Sequence, residues 1–105
     1  MGAVIMKGGR VLGAGCNSVH NFSRYNPHPY KDSIHAEVRA AINAIKSGPS
    51  SRLYGSTIYV GRVCSSGASR LARPCVSCLR FLKNLGISKI VYTTNEGINH
   101  ERISN

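Results

Sequence analysis

Four side chains in this sequence stand at spacings that suit holding a metal ion and moving a proton beside it. Glu37 follows His35 at two positions in the run His35-Ala36-Glu37, and Cys75 and Cys78 stand three apart in Pro74-Cys75-Val76-Ser77-Cys78. A zinc ion that does chemistry typically takes three protein ligands and keeps its fourth place for water. His35, Cys75 and Cys78 supply such a donor set. Glu37 is then near enough to take a proton from metal-bound water and deliver it to a ring nitrogen, the general acid and base such chemistry requires. A spacing of three also places Cys75 and Cys78 on one helix face.

The pattern of apolar and turn residues says which elements must position these groups. Val4 to Met6, a turn at Lys7-Gly8-Gly9-Arg10, and Val11 to Cys16 read as a β-hairpin. Residues 17 to 33 read as a long ordered loop carrying Phe22, Tyr25 and Tyr30 among His20, Arg24, His28 and Lys31. Ile34, Val38, Ala41, Ile42 and Ile45 recur at helical spacing, with Asp32 or Ser33 as the cap and Gly48-Pro49 as the stop. A strand from Thr57 to Val63 follows, then a loop from Ser65 to Arg73. The next helix is expected from Pro74 to Leu85 with Gly86 closing it. Lys89 to Thr94 reads as a strand, Asn95-Glu96-Gly97 as a turn, and Ile98 to Ile103 as a short last strand. The order implies an α/β fold with a mixed sheet and at least one parallel pair. His35 then stands at the start of one helix and Cys75 and Cys78 at the start of the next. Helix starts favour thiolates and bound anions.

Composition narrows the class of partner. The chain has 105 residues, 42% of them hydrophobic, and is expected to form a single domain over 1–105. Fourteen basic residues against four acidic give a charge of +10, a field that attracts phosphate-bearing molecules. The basic residues are dispersed and form no basic arm. The apolar start is broken at Gly8-Gly9 and reads as neither a signal peptide nor a lipidation site, so the expectation is a cytoplasmic protein with no membrane partner. In that setting a Cys-x-x-Cys pair suits metal or redox chemistry better than a structural disulfide.

His35-Ala36-Glu37 followed by Pro74-Cys75-Val76-Ser77-Cys78 resembles the H-x-E…P-C-x-x-C signature of zinc nucleobase deaminases. Val11-Leu12-Gly13-Ala14-Gly15-Cys16-Asn17 is similar to that family's second strand, and Pro74 to Thr94 resembles cytidine and deoxycytidylate deaminases. The likeness runs from Ala3 to about Thr94. It implies a three-layer cytidine deaminase-like core in reduced form, because the helix that precedes the first strand in relatives is lacking. It implies that His35, Cys75 and Cys78 ligate Zn2+ and that Glu37 shuttles protons during hydrolytic deamination by zinc-bound hydroxide. It further implies that Asn17 hydrogen-bonds base or sugar, and that the backbone N–H of Ala36 holds a pyrimidine carbonyl. Two departures stand out: the Cys64 to Arg73 segment intervenes after the third strand, and Ala72-Arg73 precedes Pro74 where relatives usually carry a glutamate. Arg70 and Arg73 there could meet a substrate phosphate or form a solvated basic loop.

The substrate expected first is a nucleoside or nucleotide, cytidine or deoxycytidylate. A base in single-stranded DNA or RNA is the alternative, and the aromatic and basic residues of 17 to 33 suit either. A different class of reading is a non-enzymatic zinc module with Cys64 as a fourth ligand. A thioredoxin-like role for Cys75 and Cys78 leaves His35 and Glu37 without a purpose. Finally, consecutive apolar residues in Val4-Ile5-Met6, Ile58-Tyr59-Val60 and Ile90-Val91-Tyr92 suggest strands buried on both faces. With two helices on one face, the other face calls for a partner, and a homo-oligomer is expected.

Overall fold

A local turn starts the sheet. The computed structural model describes residues 2–16, 36–62 and 71–103, so the expectations that rest on Asn17, His35, Cys64, Arg70 and the loop of residues 17 to 33 lie outside the described residues. Strand β1 (Gly2–Lys7) turns into β2 (Arg10–Cys16) through Gly8 and Gly9, whose φ angles of 58° and 78° are those a tight hairpin demands of both turn residues. Helix α1 (Ala36–Ser47), strand β3 (Thr57–Gly61), helix α2 (Val76–Asn84), strand β4 (Lys89–Thr94) and strand β5 (Gly97–Arg102) follow. The sheet runs β2-β1-β3-β4-β5. Strands β3 and β4 are parallel and the other neighbours antiparallel, so the fold is α/β with a mixed sheet, as expected.

One face of this sheet carries the core. Ile5 pairs with Ile58 and Ile58 with Ile90, a row of isoleucines crossing three strands with no exposed surface. Fully burying each contributes roughly 1.5–3 kcal/mol. Ala3, Val60 and Tyr92 form the next row. Ala36, Ala40, Ala41 and Ala44 of α1 and Leu82 of α2 close over both rows in one cluster, so both helices cover the same face. The apolar runs of β1, β3 and β4 therefore do not bury both sides. Burial alternates, and Val4, Met6, Tyr59 and Val91 point to the other face half-buried or exposed. Among the described residues no helix lies on that face, which is the reduced form of the core that the sequence implied.

Small residues set how closely α1 approaches β2. A Cβ placed on Gly13 would fall 2.6 Å from the amide nitrogen of Ala44, and one on Gly15 would fall 2.7 Å from that of Ala40. Hydrogen bonds lock the same interface: Asn43 Nδ2 donates to the Ala14 carbonyl at 2.6 Å and Ser47 Oγ to that of Leu12 at 3.1 Å. The far end of α1 is finished by a short 3-10 turn, Ser50–Leu53, which the sequence did not announce. Its Arg52 donates to the Ala44 carbonyl and to Ser47 Oγ, satisfying groups the helix end leaves over. No helix among the described residues is long and apolar enough to cross a membrane.

Candidate active site

Helix α2 is ended as the sequence requires. Gly86, at φ 88°, donates to the Lys83 carbonyl and Ile87 donates to that of Leu82, the paired bonds of a glycine-terminated helix. Its start lies two residues later than expected. Pro74 lies before the helix, and Cys75 is the N-cap, extended at φ −69° and ψ 169°. The Cys75 carbonyl accepts the first helical bond, from Leu79 N at 2.9 Å, while its side chain makes no capping bond. An extended cap turns the Cys75 side chain out of the helix ladder, and Cys75 is exposed.

Cys78 lies one turn into the helix. It is fully buried against Val38 and Ile42 of α1, with Phe81 packed alongside. This contact draws the first turn of α1 onto α2. Glu37 belongs to that turn and is only 2% exposed. Glu37 and Cys75 both come within hydrogen-bonding reach of the Cys78 thiol. Burial above all, then the negative charge of Glu37 and of Cys75, pushes that thiol far above the ordinary range for cysteine.

As anions, the buried Cys78 thiol and the Glu37 carboxylate repel one another, and the exposed Cys75 thiol adds to the repulsion on Cys78. A divalent cation at the thiols reverses that preference, because coordination deprotonates them outright. Thiols at Cys75 and Cys78, with a carboxylate next to Cys78, are donor chemistry that suits zinc. Among the described residues no three His, Cys, Asp or Glu side chains form a group that encloses a metal. The third expected ligand, His35, is outside the described residues, as is Asn17. Ala36 is described and has no exposed surface.

Arg73 has a partner within the chain. Its Nε donates to Glu101 Oε2 at 2.6 Å and its Nη2 to Glu101 Oε1 at 3.2 Å. The Tyr92 hydroxyl donates to the same Oε2 at 2.6 Å, and Asn99 Nδ2 reaches the Tyr92 oxygen at 3.4 Å. Arg73 first, then Tyr92, holds the Glu101 carboxyl down to about 2. Sequence reading missed Tyr92 and Glu101. The available signal was the β4–β5 hairpin, whose register sets Glu101 opposite Ile90, on the helix-covered face.

No curated protein matches this chain. The zinc-binding region of cytidine and deoxycytidylate deaminases matches it over residues 1–94, and the chain belongs to that family.

Proposed function

We propose that this chain, as one domain over 1–105, catalyses hydrolytic deamination of cytosine in cytidine or deoxycytidylate. His35, Cys75 and Cys78 hold the zinc. When bound, zinc supplies a Lewis acid that activates water against the ring carbon bearing the amine. Glu37 does the proton work: its carboxylate takes one proton from the attacking water and gives it to the ring nitrogen, then takes the second proton from the oxygen now on the ring carbon and gives it to the amino group, which leaves as ammonia as the carbonyl forms. Asn17 orients base or sugar and the Ala36 N–H holds the base carbonyl. The observation that carries this reading is a carboxylate, 2% exposed, set beside the buried Cys78 thiol at the meeting of two helices, with Cys75 on the other side of that thiol's contacts. A closed structural zinc site has no use for that carboxylate.

The test is direct. Zinc-loaded protein is incubated with cytidine, deoxycytidylate, adenosine, guanine and single-stranded oligonucleotides, and ammonia is measured. Release from cytidine or deoxycytidylate supports the reading, and release from none of these overturns it. Release from oligonucleotides alone moves the substrate to unpaired polynucleotide, which the charge of +10 favours. Polynucleotide binding then weakens steeply with salt, while a single nucleotide responds less.

The same reading includes self-association in the cytoplasm. The sheet face opposite α1 and α2 carries Val4, Val91, Tyr59 at 44% exposure and Ile98 at 74%, around an apolar groove of about 290 Å³. A second copy of the chain shields it.

A further inference from the structure

The residues just ahead of Cys75 have no helix or strand of their own, yet they are held at every step. Leu71 N donates to Asn95 Oδ1 at 3.2 Å, and Ala72 N donates to the Thr93 carbonyl at 2.9 Å. The Ala72 methyl is buried in the core. Arg73 then makes its two-pronged ion pair with Glu101. Pro74 is the one residue between that pair and Cys75, and its ring fixes its own φ. Two residues of chain span about 7 Å at most, so Arg73 is joined to Cys75 by a short, stiff link.

Glu101 is itself aimed. The Tyr92 ring lies in the core and its hydroxyl holds Glu101 Oε2, with Asn99 reaching the same hydroxyl. A fork-to-fork arginine–carboxylate pair fixes direction as well as distance. Both side chains of the pair are partly solvated, at 43% and 36% exposure, so its contribution to bulk stability is small. What it contributes is geometry. The two thiols also differ in what supports them: Cys78 is wedged between Val38, Ile42 and Phe81, whereas Cys75 is exposed at the helix cap.

We propose that Arg73 and Glu101 are positioning residues for the zinc site: their ion pair, anchored by Tyr92, straps the start of α2 to β5 and sets the place of the Cys75 thiol. This rests on Cys75 being a zinc ligand. Arg73 thus acts through the metal site and does not touch substrate phosphate.

Zinc release to a coloured chelator measures the claim on the full-length, zinc-loaded chain. Glu101→Gln keeps the shape and the Tyr92 contact but removes the charge, and should release zinc about tenfold faster, the scale set by partners that orient metal ligands. Tyr92→Phe leaves the charge and loses the anchor, so it should show a smaller acceleration in the same direction. The exchanged pair, Arg73→Glu with Glu101→Arg, should recover part of the loss. In cobalt-substituted protein the thiolate absorption should shift in Glu101→Gln. With cytidine or deoxycytidylate, kcat should fall while KM holds. Unchanged release in both Glu101→Gln and Tyr92→Phe, with Cys75→Ala losing its zinc, overturns the strap and leaves the ligand reading standing. Zinc retained by Cys75→Ala overturns both. A raised KM with kcat and zinc release unchanged makes Arg73 a substrate contact and overturns the strap.

Discussion

The Glu37 carboxylate and the Cys78 thiol meet across two helices, each brought there by its neighbours: Val38 and Ile42 on one side, Phe81 on the other. One packing contact between α1 and α2 thus joins the proposed proton carrier to a proposed metal ligand.

Removing that carboxylate separates catalysis from metal binding. Glu37→Gln should keep its zinc and its fold while turnover falls by about a hundredfold or more, since general acid–base groups contribute factors of about that size. Metal analysis beside a steady-state assay checks it. Equal loss of zinc and activity would make Glu37 a ligand.

Removing either thiol should act on the metal first. Cys78→Ala and Cys75→Ala are each expected to lose most of their zinc in dialysis against a mild chelator. Cys78→Ala should also lower the unfolding temperature of zinc-free protein, because it opens space against Val38 and Ile42. Cys75→Ala, at an exposed cap, should not.

Acid should dissolve the Arg73–Glu101 pair late. Glu101 is held at about 2, below its ordinary 4.5, so whatever the pair adds to stability is fully present above about pH 4.5 and fades as pH falls through 2. Wild-type and Glu101→Gln proteins, unfolded thermally across this range, should differ most at the upper end and converge near pH 2. A gap that widened toward acid would contradict the sign.

Gly13→Ala should destabilise by about 1–3 kcal/mol, the usual scale of overpacking. Its new methyl would meet the α1 backbone, which has no rotamer by which to move aside. Denaturant unfolding of the variant tests this. A neutral result would mean that α1 slides on β2 freely.

Light scattering at micromolar concentration tests the sheet face opposite α1 and α2. A particle larger than 11.3 kDa is expected, and Tyr59→Lys or Ile98→Lys should reduce it to that mass. A wild-type monomer would show that the face stays open.

Much of this arrangement was legible in the sequence because it follows from local chemistry. Gly8-Gly9 announced the hairpin, Gly86 the end of α2, and the β-branched run at Lys89 the limits of β4. The closeness of Glu37 to Cys78 was expected from spacing and family likeness together. Other features depend on distant partners. The runs in β1, β3 and β4 looked two-sided, because hydrophobicity alone does not say whether a second layer exists. Pro74 looked like the first residue of a helix, yet Cys75 holds an extended cap that excludes it. Arg73 read as a phosphate contact or part of a solvated basic loop, and its partner Glu101 is 28 positions away on a strand placed only by sheet register.

The sheet order also decides where another polypeptide can be joined to this one. Gly2 pairs with Cys16 on one side and Gly61 on the other, so the amino end emerges at the sheet rim from which the chain leaves β2 toward α1 and β3 toward α2. Arg102 pairs with Lys89, at the opposite rim. A reporter or affinity handle fused ahead of Met1 would crowd the approach to Glu37, Cys75 and Cys78. A handle carried beyond Arg102 would set out from the rim away from Glu37, Cys75 and Cys78, which makes that end the place to tether or immobilise this protein.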